Sequence, residues 1–533
     1  MTDFPVLTFL IFTPAVGAAL VLLTPSRRPE VVKALGYATT VATAGFAGYM
    51  LWHFEVGEPG LQFVEEHRWF SDTGVSYLVG VDGVSVFLVA LTALVFPIGL
   101  LASEGGIAHR IKAYTFWFLI LETAIMGIFL TVDLIAFFIF WELLLVPMYF
   151  IIAGWGHGRR VYAATKFFLY TMAGSAFLLA SILALGFLHQ SATGTLTFDF
   201  RTLMDWNGLS GATESWLFLG FMVSFAIKAP LFPFHTWLPD VHTEAPTFGS
   251  VILAGVLLKM GAYGFLRYSF TLFPEASVDF APLLLVLSVI GIVYGSIVAA
   301  RQRDLKRLIA YSSVAHMGFL VLGIFTLTTI GLDGALVIMV SHALTTGALF
   351  LLVGMLDERT HTRIMSELSG VWKAAPLLGG LFMVALLAGI GVPGFSGFVG
   401  EFLALLGAFV VHRWYAVVAT AGVILAAVYM LYAFQQSFTG VPTGVTERLR
   451  DLNARELIVV APLLVLSLFI GLYPRPILDR VEPTMRSLIE HFEERTDYRE
   501  PKQSGEDAPV VERERNEREQ EREREREEEE AQR

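Results

Sequence analysis

Apolar residues occur in blocks of roughly 20 along most of the chain, and short polar segments separate the blocks. A block of this length crosses the ~30 Å hydrocarbon core of a bilayer as an α-helix, and it lacks the alternation of a transmembrane β-strand. The pattern predicts an all-α polytopic membrane protein with about 14 transmembrane helices. The predicted spans lie near residues 5–24, 32–54, 76–101, 112–130, 133–154, 161–189, 215–240, 246–268, 281–300, 306–328, 331–356, 375–409, 414–437 and 456–474.

Two spans combine helix-breaking prolines with a charged residue. Lys228 begins the stretch 228–247, and Glu401 lies near the end of the stretch 389–402. A charge at the bilayer centre costs roughly 2.5–3.5 kcal/mol on insertion scales, so such residues persist mainly where a protein handles ions or protons. The alternative is a kinked packing helix with a snorkelling lysine. The two stretches favour a membrane protein that moves charge.

Each proline also removes a backbone N–H, which leaves the carbonyl four residues earlier without its helical partner. Pro230 frees the carbonyl of Ala226, and Pro393 frees the carbonyl of Gly389. In lipid, such an oxygen needs another donor or a water molecule. We therefore predict that spans 7 and 12 are broken helices.

The two broken spans stand five apart, and an odd offset reverses the direction of crossing. Paired interrupted spans are typical of a transport site between inverted repeats, so we predict two inverted five-helix repeats, spans 4–8 and spans 9–13. The predicted organisation is an N-terminal three-helix segment at 1–110, a first inverted repeat at 111–268, a second inverted repeat at 269–440, a last transmembrane helix at 441–480 and a charged C-terminal tail at 481–533.

Composition and charge refine this picture. The chain is 55% hydrophobic and 16% charged, and it contains no cysteine, which excludes cysteine-ligated iron–sulfur clusters within it. With the N-terminus outside, most basic loop residues fall on the inner side, and the outer loops contain only Arg68, Arg201, Arg267 and Arg413. A short amphipathic helix is predicted at 481–494, followed from about residue 497 by a charged tail that is predicted to be disordered.

Span 5 contains a carboxylate in an otherwise apolar helix, Glu142. A cationic partner on another helix would keep it ionised, and at ~6 Å with an effective dielectric near 20 such a pair contributes roughly 3 kcal/mol. Moving one charge through 100 mV costs roughly 2.3 kcal/mol, so making and breaking one pair is large enough to gate a proton. A fixed structural ion pair is the alternative.

Three further ionisable residues lie in the middle of spans: Lys259, His316 and His342. A lone histidine in an apolar helix is more often a hydrogen-bonded core residue than a relay. Their occurrence together with Glu142 and Lys228 favours a relay, because histidine titrates near neutral pH. Secondary polar candidates are Asp82, Glu122, His235 and Asp240. We predict no catalytic residue and no metal site, because the polar run at 235–244 crosses a proline break and matches no metal motif.

The chain resembles the antiporter-like membrane subunits of respiratory complex I over roughly residues 5–475. The stretches that carry the resemblance are FWELLLVPMYF (140–150), KAPLFPFHTWLPDVHTEAPT (228–247), LLKMGAYG (257–264), RDLKRLIAYSSVAHMG (303–318), SHALTTGALFLLVGML (341–356) and GVPGFSGFVGEF (391–402). The resemblance is greatest to the M-type subunits, because Glu401 stands where the L- and N-type siblings usually have lysine. The charged tail departs from the family pattern.

The resemblance implies a proton-translocating, non-redox subunit of an NADH–quinone oxidoreductase. The implied roles are an ion pair of the inner half-channel for Glu142 and Lys228, a central connecting lysine for Lys259, neighbouring relay residues for His316 and His342, and an outer half-channel residue for Glu401. No cofactor is expected in this chain, whereas NADH, FMN, iron–sulfur clusters and quinone are expected in partner subunits.

The expected partners are other membrane subunits, especially L- and N-type neighbours, and the lipid bilayer, with no nucleic acid. The expected location is a bacterial or archaeal cytoplasmic membrane, with the N-terminus outside. Three other interpretations stay open at this point. They are a subunit of a multisubunit cation/proton antiporter, the membrane arm of a hydrogenase- or formate-linked complex, and a structural scaffold that would tolerate neutral replacement of Glu142 and Lys228.

Overall fold

The computed structural model describes residues 4–70 and 73–501, except for the side chains of Arg68 and Phe70. The charged stretch predicted from about residue 497 therefore falls mostly outside the described residues. Within them the chain is predominantly helical.

The first half of the chain contains thirteen α-helices and one β-hairpin. Its elements are α1 (Val6–Leu23), α2 (Pro29–His53), β1 (Gln62–Phe70), β2 (Val75–Val81), α3 (Val86–Ser103), α4 (Ile111–Leu130), α5 (Leu134–Leu143), α6 (Leu145–Trp155), α7 (Arg160–Thr193), α8 (Phe200–Met204), α9 (Gly211–Lys228), α10 (Trp237–Glu244), α11 (Thr247–Ile252), α12 (Leu258–Gly264) and α13 (Phe270–Leu272). Two π-helical turns, Leu253–Leu257 and Phe265–Ser269, join α11, α12 and α13 into one continuous rod.

The second half contains longer helices. They are α14 (Pro274–Ala300), α15 (Leu305–Phe325), α16 (Thr329–Thr360), α17 (Val371–Ala374), α18 (Pro376–Gly389), α19 (Ser396–Val411), α20 (Arg413–Phe438), α21 (Ala454–Leu472) and α22 (Arg475–Arg495). Short 3₁₀ turns occur at Met365–Glu367 and Gly444–Thr446. The short amphipathic helix predicted at 481–494 corresponds to α22, whose apolar side chains Val481, Met485 and Phe492 are buried.

Among the described residues, eleven helices are long and apolar enough to cross a membrane, with α5–α6 and α11–α13 each taken as one. The shorter apolar helices α18 and α19 lie within the predicted span 12, and α2 and α9 match spans 2 and 7. The prediction of an all-α polytopic membrane fold is confirmed. The count of 14 crossings, the inverted repeats and the domain boundaries stay predictions.

The β-hairpin was not predicted. Strands β1 and β2 pair antiparallel, with Glu65 opposite Val79 and His67 opposite Tyr77. The predicted third span, 76–101, therefore begins with a strand, and its helix starts only at Val86. The apolar run of β2 is rich in β-branched and aromatic residues, which suit a strand, and short apolar runs do not distinguish strand from helix.

The break predicted in span 7 separates α9 from α10. Residues 229–236 are not helical, and the freed carbonyl of Ala226 accepts a hydrogen bond from the N–H of Leu231 at 2.9 Å. The neighbouring carbonyl of Ile227 accepts from the indole N–H of Trp237, also at 2.9 Å. The backbone groups released by the prolines thus find new donors within the protein, as a lipid environment requires.

The break predicted in span 12 separates α18 from α19. Gly391 and Gly394 lie in this break with φ of 73° and 101°, which glycine adopts without a Cβ penalty. The carbonyl of Gly389, freed by Pro393, hydrogen-bonds to the His316 ring at 3.0 Å. The backbone oxygen that lost its helical donor at this break is therefore hydrogen-bonded to a predicted site residue.

The core of the molecule lies around α15, α16 and the rod α11–α13. The apolar windows of α16 and of α11–α13 are entirely buried, whereas those of α7 and α14 are less than half buried. Helix α16 starts where the Thr328 hydroxyl accepts a hydrogen bond from the N–H of Gly331. Lys259 on α12, His316 on α15 and His342 on α16 therefore all project from the best-buried helices.

Candidate functional site

Lys259 and His342 are in direct contact at the centre of the molecule. The Lys259 Nζ lies 2.7 Å from the Nδ1 of His342, and the two side chains are 0% and 3% exposed. Lys259 also donates a hydrogen bond to the carbonyl of Ala254, and the same carbonyl lies 3.3 Å from His342 Nδ1. Ala254 belongs to the first π-helical turn, a conformation that is frequent at functional sites.

His316 and Glu401 continue this row of residues. The Nε2 of His316 lies 3.5 Å from the Glu401 Oε1, and both side chains are about nine-tenths buried. The ring centroids of His316 and His342 lie 5.4 Å apart, and the ring planes are inclined by 65° in an edge-to-face arrangement. The structure therefore brings together four residues that the sequence analysis selected on four different spans.

A small cavity lies between these side chains. Its volume is ≈10 Å³, which is close to the space that a single water molecule needs. His316, His342 and Glu401 line it, together with Ser341 and Gly389. The Nε2 of His342 is buried and makes no hydrogen bond within the described part of the chain. One water molecule in the cavity would supply polar partners to this group.

Lys228 and Glu142 are not in contact. The buried Lys228 Nζ lies 4.7 Å from the centroid of the Trp141 ring and 5.8 Å from that of Phe167, and it makes no hydrogen bond within the described residues. Glu142 acts on Lys228 electrostatically, but the two groups form no ion pair, and both Lys228 Nζ and Glu142 Oε1 lack a hydrogen bond within the described residues. The ion pair implied by the resemblance is therefore absent here, because the ammonium faces the indole of the preceding residue instead.

The secondary candidates His235 and Asp240 lie near the break of span 7. Asp240 forms an ion pair with Lys166 at 2.7 Å, and Lys166 also donates to the carbonyl of Thr236. The His235 ring lies 5.1 Å from that of Tyr294, and its Nδ1 is buried without a hydrogen bond among the described residues. Asp240 is thus part of an ion pair, whereas the Nδ1 of His235 has no hydrogen-bond partner among the described residues.

Asp82 is held by an arginine that the sequence analysis had assigned to an outer loop. Arg267 is 6% exposed, and its Nη1 and Nη2 lie 2.6 and 2.5 Å from the two carboxylate oxygens of Asp82. The Arg267 Nε also donates to the hydroxyl of Tyr263 at 3.3 Å. The loop assignment of Arg267 is wrong, because Arg267 lies in the second π-helical turn, within the continuous rod Thr247–Leu272. Asp82 is therefore a partner in a buried bidentate ion pair.

Glu122, on α4, is fully buried, and both of its carboxylate oxygens lack a hydrogen bond within the described residues. No hydrogen bond or ion pair links it to Lys259 or to the other described candidate residues. The structure does not join Glu122 to the other predicted residues.

Two buried ionisable residues outside the predicted set are His242 and Lys306. His242 is 0% exposed, stacks on Phe350 at 4.8 Å and has both ring nitrogens free of hydrogen bonds among the described residues. Lys306 is 2% exposed and donates to the carbonyl of Ala245 at 2.6 Å. Both lysines, Lys306 and Lys259, act electrostatically on His242. The signal in the sequence was the polar run after Pro239, in which His242 stands.

Comparisons with known proteins identify the family. Residues 131–427 match the family described as NADH:quinone oxidoreductase/Mrp antiporter, TM, and residues 59–132 match NADH-ubiquinone oxidoreductase chain 4, amino terminus. The chain is 42% identical to the NADH-quinone oxidoreductase subunit M of Rickettsia prowazekii over 497 residues, which cover 92% of this chain and 100% of the relative.

Solved structures show the same architecture. A chain of the respiratory complex I from Thermus thermophilus with bound NADH superimposes with a TM-score of 0.83 at 31% identity, covering 92% of this chain and 100% of that chain. A chain of the Mrp complex from Dietzia sp. DQ12-45-1b superimposes with a TM-score of 0.81 at 21% identity, with the same coverage. At that lower identity the likeness concerns the fold alone.

Proposed function

The chain belongs to the family of NADH-quinone oxidoreductase subunit M, and on that premise we propose that it is the proton-translocating, non-redox membrane subunit of a complex I-type enzyme. Redox chemistry with NADH, FMN, iron–sulfur clusters and quinone would take place in partner subunits. L- and N-type antiporter-like subunits would be its neighbours. The complex would lie in a bacterial or archaeal cytoplasmic membrane, with the N-terminus of this chain outside.

The observation that supports this function is the row of buried ionisable side chains formed by Lys259, His342, His316 and Glu401. Adjacent members are in contact or one water molecule apart. Burying four such groups is costly unless they have a function in charge movement. Proton transfer requires a continuous row of such groups in which some ring nitrogens, such as Nε2 of His342, are free to accept or donate a further hydrogen bond.

Lys259 and His342 together would hold one proton. Two positive charges 2.7 Å apart would repel each other by about 6 kcal/mol at an effective dielectric near 20. A proton on Lys259 therefore excludes a second one on His342, and His342 can pass a proton on only when Lys259 gives one up. The contact makes the two residues a single proton-holding unit.

The next transfer would lead from His342 towards His316 and Glu401 through the small cavity. The free Nε2 of His342 and the carboxylate of Glu401 both border it, and one water molecule would bridge them. His316 is held in place by the Gly389 carbonyl of the broken span. A movement of the break would therefore shift His316 relative to Glu401 and interrupt the row.

Proton entry would use a second, larger cavity, which lies where α11 begins. This cavity has a volume of ≈720 Å³ and is lined by His157, Asp357 and Arg363, among other residues. Lys306 interacts electrostatically with Asp357, and His242 interacts with both Lys306 and Lys259. We infer that a proton would pass from the cavity by way of Lys306 and His242 to Lys259, because His242 is under the electrostatic influence of both lysines.

Lys228 and Glu142 would provide the gate. The Lys228 ammonium lies over the Trp141 ring and has no hydrogen-bond partner among the described residues, so it is not held in this position by a polar contact. We infer that a side-chain rotation towards Glu142 would form the ion pair. A pair at ~6 Å would contribute roughly 3 kcal/mol. Because this is similar to the roughly 2.3 kcal/mol for one charge in 100 mV, a charge arriving from a neighbouring subunit could switch it.

The principal alternative is a subunit of a multisubunit cation/proton antiporter with no redox enzyme attached. The similarity to the Mrp complex concerns the fold alone. The contact between Glu401 and His316 fits an antiporter subunit less well. Such chains usually carry lysine at this position, and a lysine would place a second cation beside His316. The acidic partner therefore favours the complex I interpretation.

The test is native purification from membranes through a tag on this chain, with mass spectrometry of the co-purified proteins. We expect flavin- and iron–sulfur-containing subunits together with NADH:quinone oxidoreductase activity. Recovery with small membrane proteins alone, without any redox subunit or activity, would overturn the proposal and promote the antiporter.

A further inference from the structure

Three buried serines on three different helices are hydrogen-bonded to one another. The hydroxyl of Ser396, on α19, donates to that of Ser341 on α16 at 3.0 Å and lies 2.9 Å from that of Ser467 on α21. The three residues are 0% to 3% exposed. A serine inside a helix often bonds to the carbonyl four residues earlier, as Ser288 does with Leu284 at 2.7 Å. Neither Ser341 nor Ser467 makes such a bond within the described residues, so these hydroxyls depend on one another.

The direction of this serine chain follows from the number of protons. A hydroxyl has one O–H donor and two acceptor lone pairs. Because the Ser396 proton goes to Ser341, Ser467 has to donate the bond between Ser467 and Ser396. The O–H proton of Ser341 is then left over, and no atom of the described residues accepts it. The serine chain therefore ends in one free donor, at Ser341.

This free donor belongs to a residue of the small cavity. Ser341 lines the cavity of ≈10 Å³ together with His316, His342 and Glu401. The Nε2 of His342 lacks a hydrogen bond within the described part of the chain, and Glu401 brings its carboxylate. The Ser341 hydroxyl is a donor that suits these acceptors, either directly or through one water molecule.

Ser396 connects this donor to the break of span 12. It is the first residue of α19 and follows closely on Gly394, whose φ is 101°. Helix α21 packs directly on the break, since an added Cβ on Gly471 would clash with the carbonyl oxygen of Gly394. Ser467 lies one turn earlier on α21. The position of Ser396 is therefore set by the break and by the helix behind it.

We propose that Ser396 is a positioning residue, which turns the Ser341 hydroxyl towards the cavity and so couples the break of span 12 to proton transfer. The proposal rests on the proposed function of the row. While Ser396 donates to Ser341, the Ser341 proton is available to the Glu401 carboxylate or to the bridging water. When the break moves and Ser396 withdraws, Ser341 can turn its proton to the carbonyl of Val337, four residues earlier, and the cavity loses its donor.

The test measures NADH-driven proton pumping by the whole complex in inverted vesicles, with assembly checked on native gels. We expect Ser396→Ala and Ser341→Ala each to lower the pumping rate about fivefold, which is the size of effect that one hydrogen bond produces. The double variant should lose no more than either single variant, because both changes remove the same donor from the cavity. Independent effects would instead multiply to about 25-fold.

Three further variants separate positioning from packing. Ser467→Ala breaks a hydrogen bond of similar length but leaves the Ser396 proton on Ser341, so pumping should fall less than about twofold. Ser396→Thr keeps a hydroxyl and should restore most of the pumping that Ser396→Ala loses. Ser437→Ala is the matched control, since Ser437 is equally buried, its hydroxyl makes no hydrogen bond within the described residues, and its removal should leave pumping unchanged.

Normal pumping by Ser396→Ala, or by Ser341→Ala if Ser396→Ala does not assemble, would overturn the proposal. Equal losses in Ser467→Ala and Ser396→Ala would also overturn it, because the three serines would then act only in packing. These results leave the proposed function intact. An unmodified complex that does not pump protons on addition of NADH would reject the proposed function, and this proposal with it.

Discussion

At the scale of single residues, the contact between Lys259 and His342 is the central feature. The two groups are buried, 2.7 Å apart, and surrounded by apolar helices. Repulsion lets only one of them carry a proton, so the function of the pair depends on the ability of His342 to accept and release one. A replacement at position 342 that can hydrogen-bond but cannot titrate should preserve the structure and abolish proton transfer.

We therefore expect His342→Gln to lower NADH-driven proton pumping about tenfold or more while the complex still assembles, because glutamine accepts a hydrogen bond from Lys259 but does not titrate. Pumping is measured as acidification of inverted vesicles, and assembly by native gels. His412→Gln is the control, since His412 is exposed at the end of α19. Normal pumping by His342→Gln would exclude a relay role for His342.

The ion pair between Asp82 and Arg267 makes a different residue-scale prediction. Asp82→Asn leaves the buried guanidinium of Arg267 without its carboxylate, and breaking a buried pair in this way costs about 3–5 kcal/mol. We expect a lower thermal unfolding temperature and less assembled complex. The double variant Asp82→Leu/Arg267→Met removes both charges and should recover most of the loss.

The control for this prediction is an exposed ion pair. Arg201 contacts Asp199 and Glu66 near the hairpin, and its side chain is 38% exposed. Arg201→Gln should change the unfolding temperature little, because exposed pairs contribute about 0–1 kcal/mol. If Arg201→Gln and Asp82→Asn lower the unfolding temperature equally, burial of the Asp82–Arg267 ion pair does not increase the cost of breaking it.

At the scale of elements, both broken helices end on side chains that replace a backbone donor. Trp237 supplies its indole N–H to the carbonyl of Ile227, and His316 bonds to the carbonyl of Gly389. In each case the donor comes from outside the helix that ends there. Each break therefore has one side-chain hydrogen bond from outside the helix, in addition to backbone bonds within the break such as that of Leu231 to the Ala226 carbonyl.

Trp237→Phe tests this at the break of span 7. It removes one buried donor, which costs about 1–3 kcal/mol, and it leaves the ring volume largely in place. We expect faster amide hydrogen exchange in residues 229–236 and weaker proton pumping, because Lys228 ends the helix that loosens. Trp216→Phe is the control, as Trp216 lies on α9, on the other side of the break, and is 75% exposed. Unchanged exchange in Trp237→Phe would show that the prolines alone define the break.

The sequence predicts elements that depend on neighbouring residues better than elements that depend on residues far apart in the chain. The helices and both breaks depend on local hydropathy and on proline chemistry, and the structure contains them near the predicted positions. The β-hairpin depends on pairing between residues 62–70 and 75–81, and the apolar run of β2 resembles the start of a helix. Local patterns therefore predicted the helices and missed the pairing.

The same distinction holds for the whole molecule and its candidate site. Lys259, His316, His342 and Glu401 stood out because charge is expensive in a membrane, and the fold brings them together. The burial of Arg267 and the position of Lys228 over Trp141, away from Glu142, depend on contacts between distant helices. Such contacts leave no periodic signal in a single sequence.

The end of the described chain links distant parts of the molecule. On helix α22, the Thr484 hydroxyl accepts a hydrogen bond from the N–H of Gly83, beside the hairpin, and the His491 ring donates one to the carbonyl of Thr271, at the end of the rod. Beyond it, the Tyr498 hydroxyl donates to the carbonyl of Leu327, and the Glu500 carboxylate accepts from the N–H of Thr329, the first residue of α16. A carboxylate at a helix N-terminus stabilises the helix through its dipole.

Two truncations test this link. Ending the chain after residue 496 removes Tyr498 and Glu500 and should destabilise the protein by about 2–4 kcal/mol, because a neutral and a charge-assisted hydrogen bond are lost together. Ending it after residue 502 keeps both bonds and removes the charged stretch. We expect the shorter chain to unfold at a lower temperature and the longer one to match the full chain in stability and pumping. A pumping defect in the longer chain would instead give the charged stretch a function of its own.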